Sequence, residues 1–222
     1  MSESPALTIT LAMMRQSLYS AVVSDALDGL GYKQQSPRLS LKPFTTSELL
    51  VGRCKTTLWV DMAHVDPRPY ELELQAVDDC QPDDVLIAAA GGSVRSGIWG
   101  ELLTTAALNR GCVGAVIDGA IRDVSKIREI GFPVFARTTC VYDSFNRQRV
   151  VDVDVPVEID GVAFHPGDLV FADEDGVVVV PQAVENEAIR RAWDKVHAEN
   201  VVRDSIRGGL KAAEAFAKYG VL

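Results

Sequence analysis

The sequence predicts an α/β fold with parallel strand pairing, and three observations predict it. Between residues 85 and 136 short apolar runs alternate with helix-forming stretches, the order that builds a parallel sheet. From residue 151 onward the pattern turns to period-two alternation and glycine-containing turns, as half-buried strands and hairpins require. Helical periodicity brackets this core at both ends.

Taken in order, Leu11, Met14, Leu18, Ala21, Val22 and Leu27 recur at helical steps. Ser20 is placed to cap a second helix through Ser24, Asp25 and Asp28, which Gly29 and Gly31 stop. Gln34–Pro43 reads as loop. Val51–Val60, rich in Thr and Val, suits a strand, and Glu71–Val77 a short helix. Val85–Ala90 is an unbroken apolar run suited to a buried strand. After the Gly91-Gly92 break, Glu101–Arg110 is helical by composition, with Gly111 as its C-terminal stop. Val113–Ile117 is a buried strand, Asp118–Asp123 a loop at its end, Val124–Ile130 a helix closed by Gly131, and Pro133–Ala136 a further strand. Val151–Val155 alternates strictly. Asp160-Gly161 marks a tight turn, and Leu169–Ala172 and Val177–Val180 form a hairpin around residues 173–176. A long polar-faced helix from about Val184 to Ile206 precedes a short one after Gly209. With no repeat, low-complexity tract or linker, residues 1–222 read as one domain: N-terminal helices over about 8–31, a core over about 50–181 and C-terminal helices over about 184–218.

A chain of 222 residues with 47% hydrophobic and 24% charged residues is globular in composition. A net charge of −9 argues against nucleic acid as the main ligand, because phosphate binding needs clustered Lys and Arg. No apolar run approaches the roughly 18–20 residues of a membrane span, and Met1–Thr8 lacks the basic start of a secretory leader. The expectation is a cytoplasmic protein that engages no membrane. Cys54, Cys80, Cys112 and Cys140 stand singly, as buried free thiols do.

Ligands of open α/β sheets gather at strand C-termini and helix N-termini. Two segments meet that rule. Gly91–Gly100 feeds the helix that begins at Glu101, where the N–H groups of Gly100, Glu101, Leu102 and Leu103 carry the positive end of the helix dipole. They suit a carboxylate or phosphate, although a tight strand-to-helix turn without ligand has the same spacing. The second segment pairs Arg122 with Asp123. Arg grips carboxylates with two parallel hydrogen bonds, and Asp is a hard donor for Mg²⁺ or Mn²⁺. A surface ion pair, or Asp123 as a helix cap, is the plainer alternative. His64, His165 and His197 stand apart without zinc-ligand spacing, and Ser93, Ser96 and Ser144 lack a nucleophile motif. Tyr19, Trp59, Trp99 and Phe145 either line the region beyond the ligand's acid end or pack in the core, and the core is the expectation.

Several blocks, in order, carry a resemblance. They are Ser24-Asp25-Ala26-Leu27, Gly91-Gly92, Gly100-Glu101-Leu102-Leu103, Arg110-Gly111, Val116–Gly119, Arg122-Asp123, Gly131–Ala136, Pro166–Leu169, Ala172-Asp173 and Asp175–Pro181. The chain resembles the family that joins regulator of ribonuclease activity A to the class II 4-hydroxy-4-methyl-2-oxoglutarate aldolases. That resemblance implies a three-layer β/β/α sandwich like the swivelling phosphohistidine domain, assembled as trimers or hexamers. It implies a metal-dependent lyase for small 2-oxo acids, acting through pyruvate enolate as aldolase or oxaloacetate decarboxylase. Asp123 would hold Mg²⁺ or Mn²⁺, helped by Glu101. Arg122 would stabilise the enolate, while Gly100, Leu102 and Leu103 would bind the carboxylate. Glu199 would reach the site from a neighbouring subunit and, with Glu101, help to move the proton. The family's acid ahead of the Arg-Asp pair is usually Asp. Glu101 keeps the spacing but moves its carboxylate by about 1.5 Å. The alternative that the resemblance carries is a non-enzymatic regulator that binds ribonuclease E.

Overall fold

The computed structural model describes residues 8–38 and 41–220. The leader reading of Met1–Thr8 therefore lies, Thr8 apart, outside the described residues, as does part of the 34–43 loop. The described chain begins with α1 (Leu11–Ser17), whose Thr10 hydroxyl caps the Met13 N–H at 3.3 Å. In α2 (Ser20–Asp28), Ser20 is the first helical residue rather than the cap. The acceptor comes instead from Asp173, which takes the Ser20 N–H at 2.8 Å and its hydroxyl at 2.5 Å. The predicted loop ends in a two-residue edge strand, β1 (Lys42–Pro43), a position where Pro needs no ladder partner.

The sheet is then laid down by three consecutive strand–helix–strand units. These run through β2 (Leu50–Asp61), α3 (Glu71–Asp78), β3 (Asp84–Ala89), β4 (Gly97–Trp99), α4 (Glu101–Asn109), β5 (Gly114–Ile121), α5 (Val124–Ile130) and β6 (Val134–Thr139). β2, β3, β5 and β6 pair in parallel, as the alternation predicts. Two readings change here. β5 continues to Ile121, so Asp118–Ile121 are strand and only Arg122 and Asp123 leave the sheet. The glycine-rich approach to α4 contains the short strand β4, which pairs in parallel with the last residues of β5, beyond the stretch that β3 covers.

The remainder curls the sheet over. β7 (Gln148–Val153) and β10 (Leu169–Ala172) pair antiparallel with opposite ends of the twelve-residue β2, and β11 (Val177–Val180) closes the hairpin with β10. The alternation expected over Val151–Val155 stops at Val153, because Asp154 takes a left-handed φ of 56° and turns to Lys55. β8 (Val157–Ile159) and β9 (Val162–Phe164) form a separate hairpin through Asp160-Gly161, both at positive φ, as a two-residue turn demands. The C-terminal helices are α6 (Glu185–Arg207) and α7 (Ala212–Tyr219). No described helix is long and apolar enough to cross a membrane.

Three apolar clusters hold these layers together. One face of the sheet packs on α3, α4 and α5 through residues such as Leu86, Ala88, Ala107 and Ile127. Alternate residues of the same strands, Val85, Ile87 and Ala89, face Phe164 and Ile159 of the β8–β9 hairpin and Val170 and Val179 of the curled end. The outer face of that curled end packs on α1, α2 and α6 through Leu169, Phe171 and Val178. Burial on both faces explains why Val85–Ala90 and Val177–Val180 read as unbroken apolar runs. The fold is thus a curled mixed sheet with flanking helices, in agreement with the expected sandwich. Trp59 and Trp99 lie in the core as expected, whereas Phe145 is exposed and Tyr19 is only half-buried. Cys54, Cys80 and Cys112 are buried free thiols, and Cys140 is half-buried.

Phe164 is fully buried between the hairpin and the sheet. Phe164→Ala should lower the unfolding free energy by about 3–5 kcal/mol in a urea titration. An unchanged midpoint would show that the hairpin does not belong to the cooperative core.

Candidate active site

The three crossovers place the starts of α3, α4 and α5 around one opening at the C-terminal end of the parallel strands. A cavity of about 260 Å³ lies there, walled by Tyr70 and Glu73 from the start of α3, Gly100, Leu102 and Leu103 from the start of α4, and Arg122 and Asp123 after β5. Asp143 and Ser144, from the loop before β7, complete it.

The backbone frame is tight. Arg122 donates its N–H to the Trp99 carbonyl at 2.9 Å, and Gly97 donates to Tyr142 O at 2.8 Å. A Cβ on Gly100 would stand 2.7 Å from Asp123 Oδ2, and one on Gly97 2.6 Å from the Cys140 carbonyl. These two glycines are therefore required by close approach. Behind them, the buried Asp118 pins the Gly91-Gly92 turn: its carboxylate accepts the Gly92 N–H at 3.0 Å and pairs with Arg137. Burial raises the Asp118 pKa, against the pull of Arg137.

Arg122 is the only cation among the described residues lining the cavity. Its Nη2 lies 3.1 Å from Asp143 Oδ2, and its Nε 3.8 Å from Asp123 Oδ2. Asp123 sits in left-handed backbone at the start of α5 and makes no side-chain cap to that helix. It reaches across to accept the Glu101 N–H at 3.2 Å. In α4 the first N–H with an intrahelical acceptor is that of Thr104, bonded to Gly100 O at 3.1 Å. The N–H groups of Leu102 and Leu103 therefore have no acceptor within their helix.

The opposite wall carries a proton-rich cluster. Tyr70, at positive φ just before α3, donates its hydroxyl to Asp143 Oδ1 at 2.9 Å. Burial and that bond push its pKa up to about 12. Burial works to raise Asp143, but the Phe145 N–H, the Tyr70 hydroxyl and the Arg122 guanidinium prevail and hold it below its ordinary value. Glu73 is 8% exposed. Burial, reinforced by the negative Asp143, pushes it to about 8 against Arg122 and a hydrogen bond with Ser144.

The structure thus gathers Gly100, Leu102, Leu103, Arg122 and Asp123 around one cavity, while Glu101 meets them only through its backbone N–H on Asp123. Glu101 does not aim at the Asp123 carboxylate, since its Oε1 accepts from Thr105 Oγ, one turn along α4, at 3.1 Å. Glu199 does not line this cavity within one chain. It lies on α6, where Oε2 accepts the Tyr19 hydroxyl at 3.0 Å beside Lys195 and Arg203. Tyr70, Glu73 and Asp143 escaped the sequence reading, and Ser144 entered it only as a serine without a nucleophile motif. Glu71–Val77 read only as a short helix, and nothing local says that the 140–147 loop folds onto α3. Among the described residues no group of three acidic, His or Cys side chains is gathered as a metal cage.

A family model described as RraA-like, Aldolase/RraA, matches residues 20–179. A Halalkalibacterium halodurans protein, provisionally named a 4-hydroxy-4-methyl-2-oxoglutarate aldolase, is 30% identical over 201 residues, covering 90% of both chains. Protein DlpA of Legionella pneumophila is 29% identical over 90% of this chain, which spans only 32% of that longer protein. Among solved structures, an uncharacterized protein from Pseudomonas syringae superposes with a TM-score of 0.83 at 29% identity, over 98% of this chain and 100% of the other. Streptomyces coelicolor RraAS2, described as an unusual member of the RNase ES inhibitor RraA protein family, gives 0.76 at 30% identity, over 89% and 98%.

The raised Glu73 pKa has a consequence for stability. The folded chain holds this proton up to about pH 8, whereas an unfolded Glu releases it near 4.5. The contribution of Glu73 is therefore fully present below pH 4.5 and is lost as the pH rises through 8, by on the order of a few kcal/mol. Glu73→Gln removes that loss. Its urea midpoint should rise relative to wild type as the buffer moves from about pH 5 to about pH 8.5. A difference independent of pH would show that Glu73 titrates normally.

Proposed function

The chain belongs to the RraA-like family, and we propose that within it this protein is a carbon–carbon lyase acting on 2-oxo acids through pyruvate enolate. It would cleave 4-hydroxy-4-methyl-2-oxoglutarate-type aldols, decarboxylate oxaloacetate, or do both, since the two reactions share that intermediate. The observation that carries the reading is the placement of Arg122 in one cavity with the start of α4, whose Leu102 and Leu103 N–H groups are free of helical partners. A 2-oxo acid offers a carboxylate and a keto oxygen two atoms apart, which suits such a pair of donors.

The residues divide the work. The N–H groups at Leu102 and Leu103, where the helix dipole is positive, hold the carboxylate. Gly100 lets the substrate approach the backbone. Arg122 donates to the keto oxygen and stabilises the negative charge that develops there as the C3–C4 bond breaks. Asp143 keeps the guanidinium turned into the cavity. Leu103 and Ile98 give the wall an apolar lining that limits water. A lysine Schiff base has no support, because no Lys lines the cavity among the described residues.

The donor chemistry also suits a divalent cation. Asp123 offers one partly exposed carboxylate, and Mg²⁺ or Mn²⁺ is commonly held by one or two carboxylates with water and substrate oxygens completing the shell. Such an ion, when bound, would supply Lewis-acid polarisation of the keto oxygen. Assembly as trimers or hexamers, with Glu199 offered to a neighbouring copy, belongs to the same proposal.

The test is pyruvate release from oxaloacetate and from 4-hydroxy-4-methyl-2-oxoglutarate, with and without EDTA. Turnover should be abolished by EDTA, restored by Mg²⁺ or Mn²⁺, and lowered about 10²–10³-fold by Arg122→Ala. Absent or EDTA-insensitive turnover on every 2-oxo acid tried would overturn the reading. The Streptomyces neighbour favours a second one, a binding protein that restrains a ribonuclease. In that case Arg122→Ala would leave capture of ribonuclease E intact, and no lyase activity would be found.

A further inference from the structure

The lyase reading leaves the one buried acid among the described residues lining the cavity without a role. We propose that Glu73 is the proton donor to C3 of the pyruvate enolate, and the base that removes a methyl proton when the step runs backward. The inference rests on the lyase reading and adds a residue to it.

The geometry carries it. Glu73 stands on the first turn of α3 and walls the same cavity as Arg122 and the start of α4. With its keto oxygen on Arg122 and its carboxylate at Leu102 and Leu103, a substrate presents C3 to the remaining wall. That wall is made by Tyr70, Glu73, Leu74, Asp143 and Ser144. Tyr70 is committed to Asp143, and Asp143 is committed to Arg122, the Phe145 N–H and Tyr70. Glu73 is the acid left on that side.

The surroundings set its protonation. The charged and titratable groups facing it are Asp143 with the Ser144 hydroxyl from the loop before β7, Arg122 just after β5, and Tyr70 just ahead of its own helix. Burial and Asp143 favour the neutral acid, and Arg122 opposes them. Two carboxyls a short way apart are thereby driven in opposite directions, Asp143 down and Glu73 up. That separation is how neighbouring acids divide ionised and proton-donating roles. A donor held near 8 also keeps its proton at neutral pH yet can release it to a carbanion-like carbon.

The step balances. The enolate C2=C3 π pair takes the Glu73 proton, a C3–H bond forms and C2–O returns to a carbonyl. The O–H pair stays on Glu73 as carboxylate. Solvent water reprotonates it after decarboxylation. In aldol cleavage the C4 hydroxyl gives its proton to solvent water as the C3–C4 bond breaks and C4 becomes a carbonyl, and solvent returns one proton to Glu73, so no acid is consumed.

The experiment is exchange of the methyl protons of pyruvate with deuterated solvent, followed by NMR across about pH 6–9.5 with saturating Mg²⁺. Wild type should exchange faster as pH rises, levelling off through an inflection near 8, because the base form abstracts the proton. Glu73→Gln should lose that inflection and at least about 100-fold in rate, while calorimetric affinity for pyruvate changes less than about threefold. Glu73→Asp should recover part of the rate with a displaced inflection, which a packing role would not produce. A Gln variant that keeps both rate and inflection overturns the proposal. So does a flat wild-type profile, which needs no variant to fold. Wild-type protein that neither exchanges pyruvate nor releases it from any 2-oxo acid removes the lyase reading itself. Exchange that survives in Glu73→Gln removes only the role of Glu73.

Discussion

The site depends on β4 lying against the end of β5 with no side chain between them. Gly97 opens the three-residue strand and Gly100 follows it, and at both the neighbouring atoms leave no room for a Cβ. Because the backbones touch, one set of hydrogen bonds fixes three things together. Arg122 N–H to Trp99 O fixes the guanidinium stem. Gly97 N–H to Tyr142 O and Cys140 N–H to Ile121 O fix the loop that brings Asp143. The Asp123 carboxylate on the Glu101 N–H fixes the mouth of α4. A methyl group at either glycine would part these elements, and the donors would no longer share a cavity.

That frame also resolves an electrostatic difficulty. The chain carries a net charge of −9, and the described cavity residues are one arginine against Asp123, Asp143 and Glu73. Were all three acids ionised, an anionic ligand would meet a net negative wall. With Glu73 neutral at physiological pH, the wall balances more nearly, and the start of α4 adds the positive end of its dipole. Because the Arg122–Asp143 pair is more than a third exposed on each side, its value lies in orienting the guanidinium rather than in stability.

Much of the fold was legible because its signals are local. Apolar runs, Gly131 after α5, the Asp160-Gly161 turn and the long polar-faced helix each declare themselves within a dozen residues. The glycine-lined turn and Arg122-Asp123 were legible for the same reason, being contiguous segments at a strand end. What was missed is non-local. Ser20 reads as a cap, yet its helix is capped from Asp173, 153 residues away. Asp118 reads as loop because Asp is a poor strand former, yet Arg137 and Gly92 satisfy it inside β5. Glu73 falls without distinction inside the short helix read over Glu71–Val77, and Asp143 and Ser144 come to it from a loop about seventy residues on. No pattern along α3 encodes that approach.

Glu101 shows how one methylene redirects a site. An Asp at the first position of a helix is too short to reach back along it, so its carboxylate stays at the mouth. Glu at the same position can lie along the helix surface, where residues four apart are neighbours, and Thr105 receives it there. The extra reach therefore takes the second carboxylate away from Asp123. Among the described residues Asp123 is left as the single acid at the mouth of α4, engaged there by a backbone N–H and, more distantly, by Arg122. A cation there would gain its remaining ligands from water and from the substrate. Its hold would then tighten when a 2-oxo acid arrives, coupling metal and substrate affinity in a way that a second fixed carboxylate would weaken.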